Sequence, residues 1–239
     1  MSEAELYYNE KSLRYNDVFD ILYFKIYDAV TWKFLEPYVP SSSDALILDA
    51  GGGTGRWALR MAKKGCKVIL LDISEGMLKI AKEKVEREGL QHRVIIEKGD
   101  IRKLKYSNET FDMILCEHTL FLLNETDIVI KELARVLKKG APLIISALNR
   151  YVQSLIHLPC KEIPKSEKLD EAFSILLGKK YDVMTKDGKV KIYTWTPDEF
   201  RHLLGRNGFT VQKIVGKGIT MPLRIPEELY TKKKYSKDL

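Results

Sequence analysis

The chain has 239 residues, 45% hydrophobic and 31% charged, the balance of a globular protein with enough apolar material for a sizeable core. Its longest apolar runs, such as Ala45–Leu48, Val68–Leu71 and Leu120–Leu123, fall far short of the ~20 residues a membrane-spanning helix needs. The first ten residues carry acidic side chains and lack an apolar stretch, which predicts no signal peptide; three widely spaced cysteines (Cys66, Cys116, Cys160) form no metal or redox pair. These features predict a cytoplasmic protein without a membrane span or a metal site. The net charge of +7 is unevenly spread: residues 1–40 are acidic, and the surplus weighs most on residues 151–239, including Lys232, Lys233, Lys234 and Lys237. A basic tail of this kind admits nucleic acid as a partner but is equally a solvated terminus, the reading favoured here.

In chain order, residues 16–36 are predicted as an amphipathic helix, with Phe19, Leu22, Ile26, Val30 and Phe34 on its apolar face and Pro37 as its stop. Strands are expected at Ala45–Leu48, Lys67–Leu71, Arg93–Glu97, Phe111–Cys116 and Pro142–Ala147. Between them come helices over Arg56–Lys64, from Ser74 as N-cap to Glu88, and after Asn124 as cap, with Gly140 closing the last. Five alternations of strand and helix predict a parallel sheet covered on both faces.

That rhythm breaks between Asn149 and Thr194. Two helices (around Tyr151–Leu158 and Glu167–Leu177) and a hairpin turning at Asp187-Gly188 are expected there, between Tyr181–Thr185 and Lys189–Trp195. Thr196-Pro197-Asp198-Glu199 then opens a helix with a cap, a first-turn proline and acidic residues, and Phe209–Val215 reads as a further strand. The expected organisation is a helical leader (1–40), a core (41–148), an inserted cap (149–194), and a C-terminal part (195–239) that completes the core and ends in the basic tail. An insertion on an α/β sheet commonly covers the ligand edge.

The sharpest local signal is Asp49-Ala50-Gly51-Gly52-Gly53-Thr54-Gly55, between a strand and a helix. So many glycines let backbone turn tightly and approach a ligand closely, beside the free N–H groups of a helix start. Neither the dinucleotide frame G-x-G-x-x-G/A nor a phosphate-loop ending G-K-[ST] fits; D-x-G-x-G-x-G does. Asp72 follows at the end of the second strand, where one carboxylate can accept from two hydroxyls. Gly99-Asp100-Ile101 follows the third strand, Phe111-Asp112-Met113-Ile114 lies in the fourth and is followed by Cys116-Glu117-His118, and Glu132–Gly140 leads into the fifth.

In this order the segment 45–147 resembles the core of the class I S-adenosylmethionine-dependent methyltransferases. The resemblance implies a Rossmann-like, doubly wound, mostly parallel seven-stranded α/β sheet with helices on both faces. It implies S-adenosylmethionine as cofactor and S-adenosylhomocysteine as product. It also implies roles: Asp49 with Gly51, Gly52, Gly53 and Gly55 at the methionine end, Asp72 on the ribose, Ile73 and Met77 against the adenine, Asp100 on its amino group between Gly99 and Ile101, and Cys116 and Glu117 along the pocket. The leader, the cap and the Tyr193-Thr194-Trp195-Thr196-Pro197 segment resemble the small-molecule branch that includes ubiquinone- and menaquinone-biosynthesis methyltransferases. A tRNA wobble-uridine methyltransferase with a similar D-A-G-G-G start gives the alternative acceptor, and a cofactor-binding protein without catalysis is the other alternative.

Methyl transfer to an oxygen, nitrogen or carbon acceptor depends mainly on alignment and exclusion of water, with a base only where the nucleophile must lose a proton. His118 and Glu117 are the candidate catalytic residues. Arg14 and Tyr15 are the leader's candidates for the cofactor, in a leader whose aromatic side chains, with Tyr7, Tyr8 and Tyr23 among them, are placed to close over the sulfonium by cation–π contact. The Asn/Asp-Pro-Pro-aromatic motif of amino-nitrogen methylation is missing after the fourth strand, and Pro159-Cys160 lies in the cap rather than there. His157 reads as structural, and His92 and His202 as surface positions.

Overall fold

The computed structural model describes residues 5–9, 12, 22–156, 166–185 and 188–217. Arg14, Tyr15, Phe19, His157, Pro159, Cys160, the Asp187 turn position and the Lys-rich tail therefore lie outside the described residues. Five strands form the central sheet: β1 (Leu46–Ala50), β2 (Lys67–Asp72), β3 (Val94–Lys98), β4 (Met113–Cys116) and β5 (Leu143–Ile145). They lie in the order β3-β2-β1-β4-β5, every neighbouring pair parallel.

The inner strands β1, β2 and β4 read as nearly unbroken apolar runs because both of their faces are buried. Ile47, Val68, Leu70, Met113 and Leu115 point to one core, with Trp57, Met61 and Ala62 of α2 (Arg56–Lys63) and Ala81 and Val85 of α3 (Glu75–Arg87). Leu48, Ile69, Leu71, Ile114 and Cys116, one residue out of phase, point to the other, with Val129, Leu133 and Val136 of α4 (Thr126–Val136). This two-residue alternation carries side chains to opposite faces.

Four expectations are corrected. The leader helix α1 (Leu22–Leu35) does not turn its predicted stripe inward: Ile26, Val30 and Phe34 are exposed, while Asp28, Thr31 and Leu35 are buried. The helix is rotated by specific contacts. Arg56 pairs with Asp28 at 2.7 Å, and Trp32 stacks on Trp57 with ring centroids 6.3 Å apart. Asn124 is not the cap of α4; Glu125 is, without a side-chain hydrogen bond, and Thr126 bonds back to the Leu123 carbonyl at 3.0 Å. Gly140 does not end that helix, which stops at Val136, but forms the turn before β5 with φ at 75°. The stretch 209–216 is not a strand. Phe209 and Val211 pack into the second core, while a cavity of about 1680 Å³ lies between this stretch and the three residues of β5, so no ladder forms and the described sheet has five strands, not seven.

Beyond β5 come α5 (Arg150–Ile156), α6 (Ser166–Leu177), and an antiparallel ribbon of β6 (Lys180–Thr185) with β7 (Gly188–Tyr193). Asn149 and Trp195 form an isolated parallel bridge, so the chain leaves the core and rejoins it at one point. The helix α7 (Pro197–Arg206) then begins with a complete capping box between Thr196 and Glu199. Glu199 also accepts from the buried Arg150, at 3.1 Å through Oε1 and more closely through Oε2. One carboxylate thus closes a helix end and compensates a buried cation. Glu199→Ala is expected to cost about 2–4 kcal/mol by removing both. Thermal unfolding should fall by more than about 4 °C, whereas Asp198→Ala, which removes only an exposed pair with Arg201, should leave it nearly unchanged.

Candidate functional site

β1 bonds β2 on one side and β4 on the other, so the connections leaving β1 and β4 diverge at the carboxyl edge of the sheet and leave a crevice. The glycine loop forms one wall. Gly51, Gly53 and Gly55 have φ of 78°, 54° and 80°, the left-handed region that glycine enters without penalty. At Gly51 the need is also spatial, because a Cβ there would sit 2.4 Å from Thr119 Oγ1 of the opposite loop. At Gly53 a Cβ would meet no protein atom within 4 Å, so its backbone borders open space.

The cleft, about 250 Å³, is lined by Gly51, Gly52, Gly53, Asp72, Ile73, Met77, Gly99, Asp100, Ile101, Glu117 and His118, eleven of the positions singled out from sequence. Asp49, Gly55 and Cys116 do not line it. Asp49 lies buried beneath the loop, accepts from the Ala58 N–H at 3.1 Å, and is pushed up to about 7 by burial. Gly55 is the left-handed N-cap of α2, and burial pushes the Cys116 thiol up to about 12.

The acidic residues of the cleft are already engaged. Asp72 accepts from the Gly53 N–H at 2.8 Å through Oδ2 and from the Ser74 N–H at 2.9 Å through Oδ1; burial raises its pKa against these bonds. The Ile73 N–H also bonds this carboxylate, so of its four lone-pair positions about one stays open to a hydroxyl donor. Asp100 is clasped by the Arg102 guanidinium, with the closest contact 2.6 Å, which holds it below the usual carboxylate range despite burial. Residues 5–9 are helical and close one end. Asn9 accepts from the Ser74 hydroxyl at 2.6 Å and from the Gly76 N–H at 3.2 Å, and Tyr8 lines the cleft while its hydroxyl donates to the His118 carbonyl at 3.1 Å.

The wall after β4 carries Glu117 and His118. His118 has φ of 56°, a conformation that costs a non-glycine residue of order 1–3 kcal/mol and persists only when its surroundings enforce it. Here they do, since the His118 N–H donates to Ser146 Oγ at 2.9 Å and its carbonyl takes the Tyr8 bond. The Glu117 carboxyl is buried; burial raises its pKa, but Lys217 and His118 outweigh that and hold it low, hence ionised. His118 is held below its ordinary value, first by burial and then by Lys217 and Arg56, with Glu117 opposing. Tyr27 of α1 lies between the two, and Glu117 and His118 also border the larger cavity beside β5.

Tyr27, Arg56 and Lys217 escaped the sequence reading. A lone tyrosine on a helix, an arginine after a glycine loop and a lysine just beyond an expected strand carry no local signal of meeting at one site. The aromatic leader did carry one, and of the residues it offered, Tyr8 is described at the cleft.

A methyltransferase-domain family model matches residues 47–140. Over 118 residues the chain is 35% identical to a demethylmenaquinone methyltransferase of Lactiplantibacillus plantarum, covering 48% of this chain and 50% of that protein. Over 101 residues it is 35% identical to methyltransferase GfsG of Streptomyces halstedii, covering 42% of this chain and 36% of that one. The chain thus spans half or less of the length of these curated relatives. Among solved structures, an S-adenosylmethionine dependent methyltransferase from Mesorhizobium loti superposes with a TM-score of 0.60 at 20% identity over 84% of this chain and 92% of that one, a likeness of fold. Among the described residues no group of metal-ligating side chains and no helix long and apolar enough to cross a membrane is present.

The two glycine environments predict opposite outcomes. Gly51→Ala forces the Thr119 contact and should cost about 2 kcal/mol or more, lowering the unfolding midpoint by roughly 4–8 °C. Gly53→Ala should cost only about 1 kcal/mol from its φ and yet abolish binding of S-adenosylmethionine, because its new methyl enters the cleft. Calorimetric unfolding with and without the cofactor checks both.

Proposed function

We propose that the chain transfers a methyl group from S-adenosylmethionine to a small-molecule acceptor, with residues 47–140, the segment that matches a methyltransferase-domain family model, holding the cofactor and His118 as the base. The observation that carries this reading is one cleft with an open glycine cradle on one wall and the Glu117–His118 pair on the other. When bound, the cofactor supplies a methyl group on a cationic sulfur, open to in-line displacement.

The chain's own residues fit that group. Asp72 offers its remaining lone pair to a ribose hydroxyl, Ile73, Met77 and Ile101 offer apolar walls to a ring, and Asp100 would exchange part of its fourfold Arg102 clasp for an amino-group donor. Glu117, buried and ionised, places a fixed negative charge beside a cationic ligand, an attraction strengthened by exclusion of water. His118 receives the proton that an O–H or N–H acceptor loses as it becomes nucleophilic. The second cavity adjoins at His118 and is lined by Phe121, Ile145 and Trp195, room for an apolar acceptor. Relatives named as demethylmenaquinone methyltransferases support an acceptor of quinol type, in which loss of a hydroxyl proton makes a ring carbon nucleophilic.

Two measurements test this. S-adenosylmethionine at a hundred times its Kd should stabilise the chain by about 2.7 kcal/mol, while NAD should have no effect; stabilisation by NAD alone would overturn the assignment. With demethylmenaquinone in its reduced form as acceptor, His118→Gln should lower kcat by roughly 10²–10⁴-fold without weakening cofactor binding. Since His118 must be neutral to accept a proton, kcat should rise with pH through a pKa below the ordinary 6.5 and stay level at neutral pH. A profile still climbing above pH 7 would count against His118.

A further inference from the structure

Four side chains from three distant parts of the chain converge where the two cavities adjoin: Tyr27 of α1, Glu117 and His118 after β4, and Lys217 beyond α7. The Tyr27 hydroxyl lies 3.1 Å from Glu117 Oε1 and 2.8 Å from His118 Nε2, and the Lys217 ammonium lies 5.0 Å from the Tyr27 ring centroid. A hydroxyl has one proton to give. Glu117 is paired with Lys217 and only 3% of its side chain is exposed, so its carboxylate can only accept. The geometry therefore gives the Tyr27 proton to Glu117 and turns the phenolic oxygen, as an acceptor, toward Nε2. The reverse arrangement would set a carboxylate lone pair against a phenolic one.

We propose that Tyr27 is a positioning residue that fixes His118 in its Nε2–H tautomer, leaving Nδ1 as the atom that takes the proton from the methyl acceptor. This rests on the reading of His118 as the base, and it names the nitrogen and the relay behind it. No hydrogen bond to Nδ1 occurs among the described residues, and the side chain of His118 remains 37% exposed. The step balances within the acceptor and one imidazole: the acceptor's O–H or N–H bond breaks, an N–H bond forms at Nδ1, and the electron pair stays on the acceptor. Tyr27 keeps its proton and Glu117 its charge. The imidazolium so formed faces that charge across the phenol, with Nε2 3.9 Å from Oε1. Arg56 also faces the cluster, with its own charge engaged by Asp28 at 2.7 Å, and Glu117, although paired with Lys217, is the carboxylate that faces the protonated ring. The arrangement has the logic of a buried acceptor fixing a histidine tautomer, with a phenol interposed.

The test reads the tautomer directly. In the full chain labelled with ¹⁵N-histidine, at pH 8, long-range ¹H–¹⁵N correlations of His118 (assigned by their loss in His118→Gln) should show the Nε2–H form as a single species. Tyr27→Phe should abolish that preference, giving an exchange-averaged pattern. Glu117→Gln, whose amide can donate to the phenol, should turn the hydroxyl toward Nε2 and reverse the pattern to Nδ1–H. An Nδ1–H signature in the unsubstituted chain overturns the proposal even if both variants fail to fold, as does a Tyr27→Phe spectrum identical to the original. The base reading fails separately. If His118→Gln keeps full turnover with the reduced quinone while the Nε2–H signature is present, His118 is not the base, but its tautomer is as stated. If the signature is absent and His118→Gln is inactive, only the relay is wrong.

Discussion

The loops leaving β1 and β4 touch at one point, Gly51 against Thr119, and open into the cleft beyond it. Gly51 and Thr119 lie so close that a single methyl group on the former would fall inside the van der Waals surface of the latter. Parallel pairing of β1 with β4 brings the two chain segments to one edge, and the absence of a side chain at Gly51 lets them stay there. Everything chemical depends on that closeness. It sets the Gly53 backbone on one wall and Glu117 and His118 on the other, across a gap that Asp72 braces from behind by holding the Gly53 N–H.

The site is also built from elements that hold one another. Asp72 serves the loop and the start of α3 together, and Asn9 locks residues 5–9 onto that same helix start. Tyr8 then reaches across to the His118 carbonyl, so the segment that closes the cleft also enforces the left-handed backbone of His118. Such strain persists because several independent bonds maintain it. A cofactor entering the cleft meets carboxylates with fixed geometry, which limits the ordering it must impose.

What could be read in advance followed from local chemistry. The glycine loop, the acidic residue closing β2 and the Thr196–Glu199 capping box each declare themselves by residue types whose backbone demands are local. The leader did not. Its apolar stripe predicted one face, but the pair of Asp28 with Arg56 and the Trp32–Trp57 stack turn the other inward, a choice settled by residues some thirty positions away. The stretch Phe209–Val215 reads as a strand by composition, yet strand formation needs a partner edge, and β5 offers only three residues beyond an intervening cavity. Tyr27 and Lys217 reach Glu117 from 90 and 100 positions away, separations at which sequence pattern carries no contact information.

A crystal structure with S-adenosylhomocysteine tests the central claim most directly. The account predicts a ribose hydroxyl on Asp72, the adenine beside Ile73 and Met77, the amino-acid end at the Gly51–Gly53 loop, and the sulfur directed toward His118. Ligand density confined to the cavity beside β5, with the glycine cradle empty at saturating ligand, would contradict it.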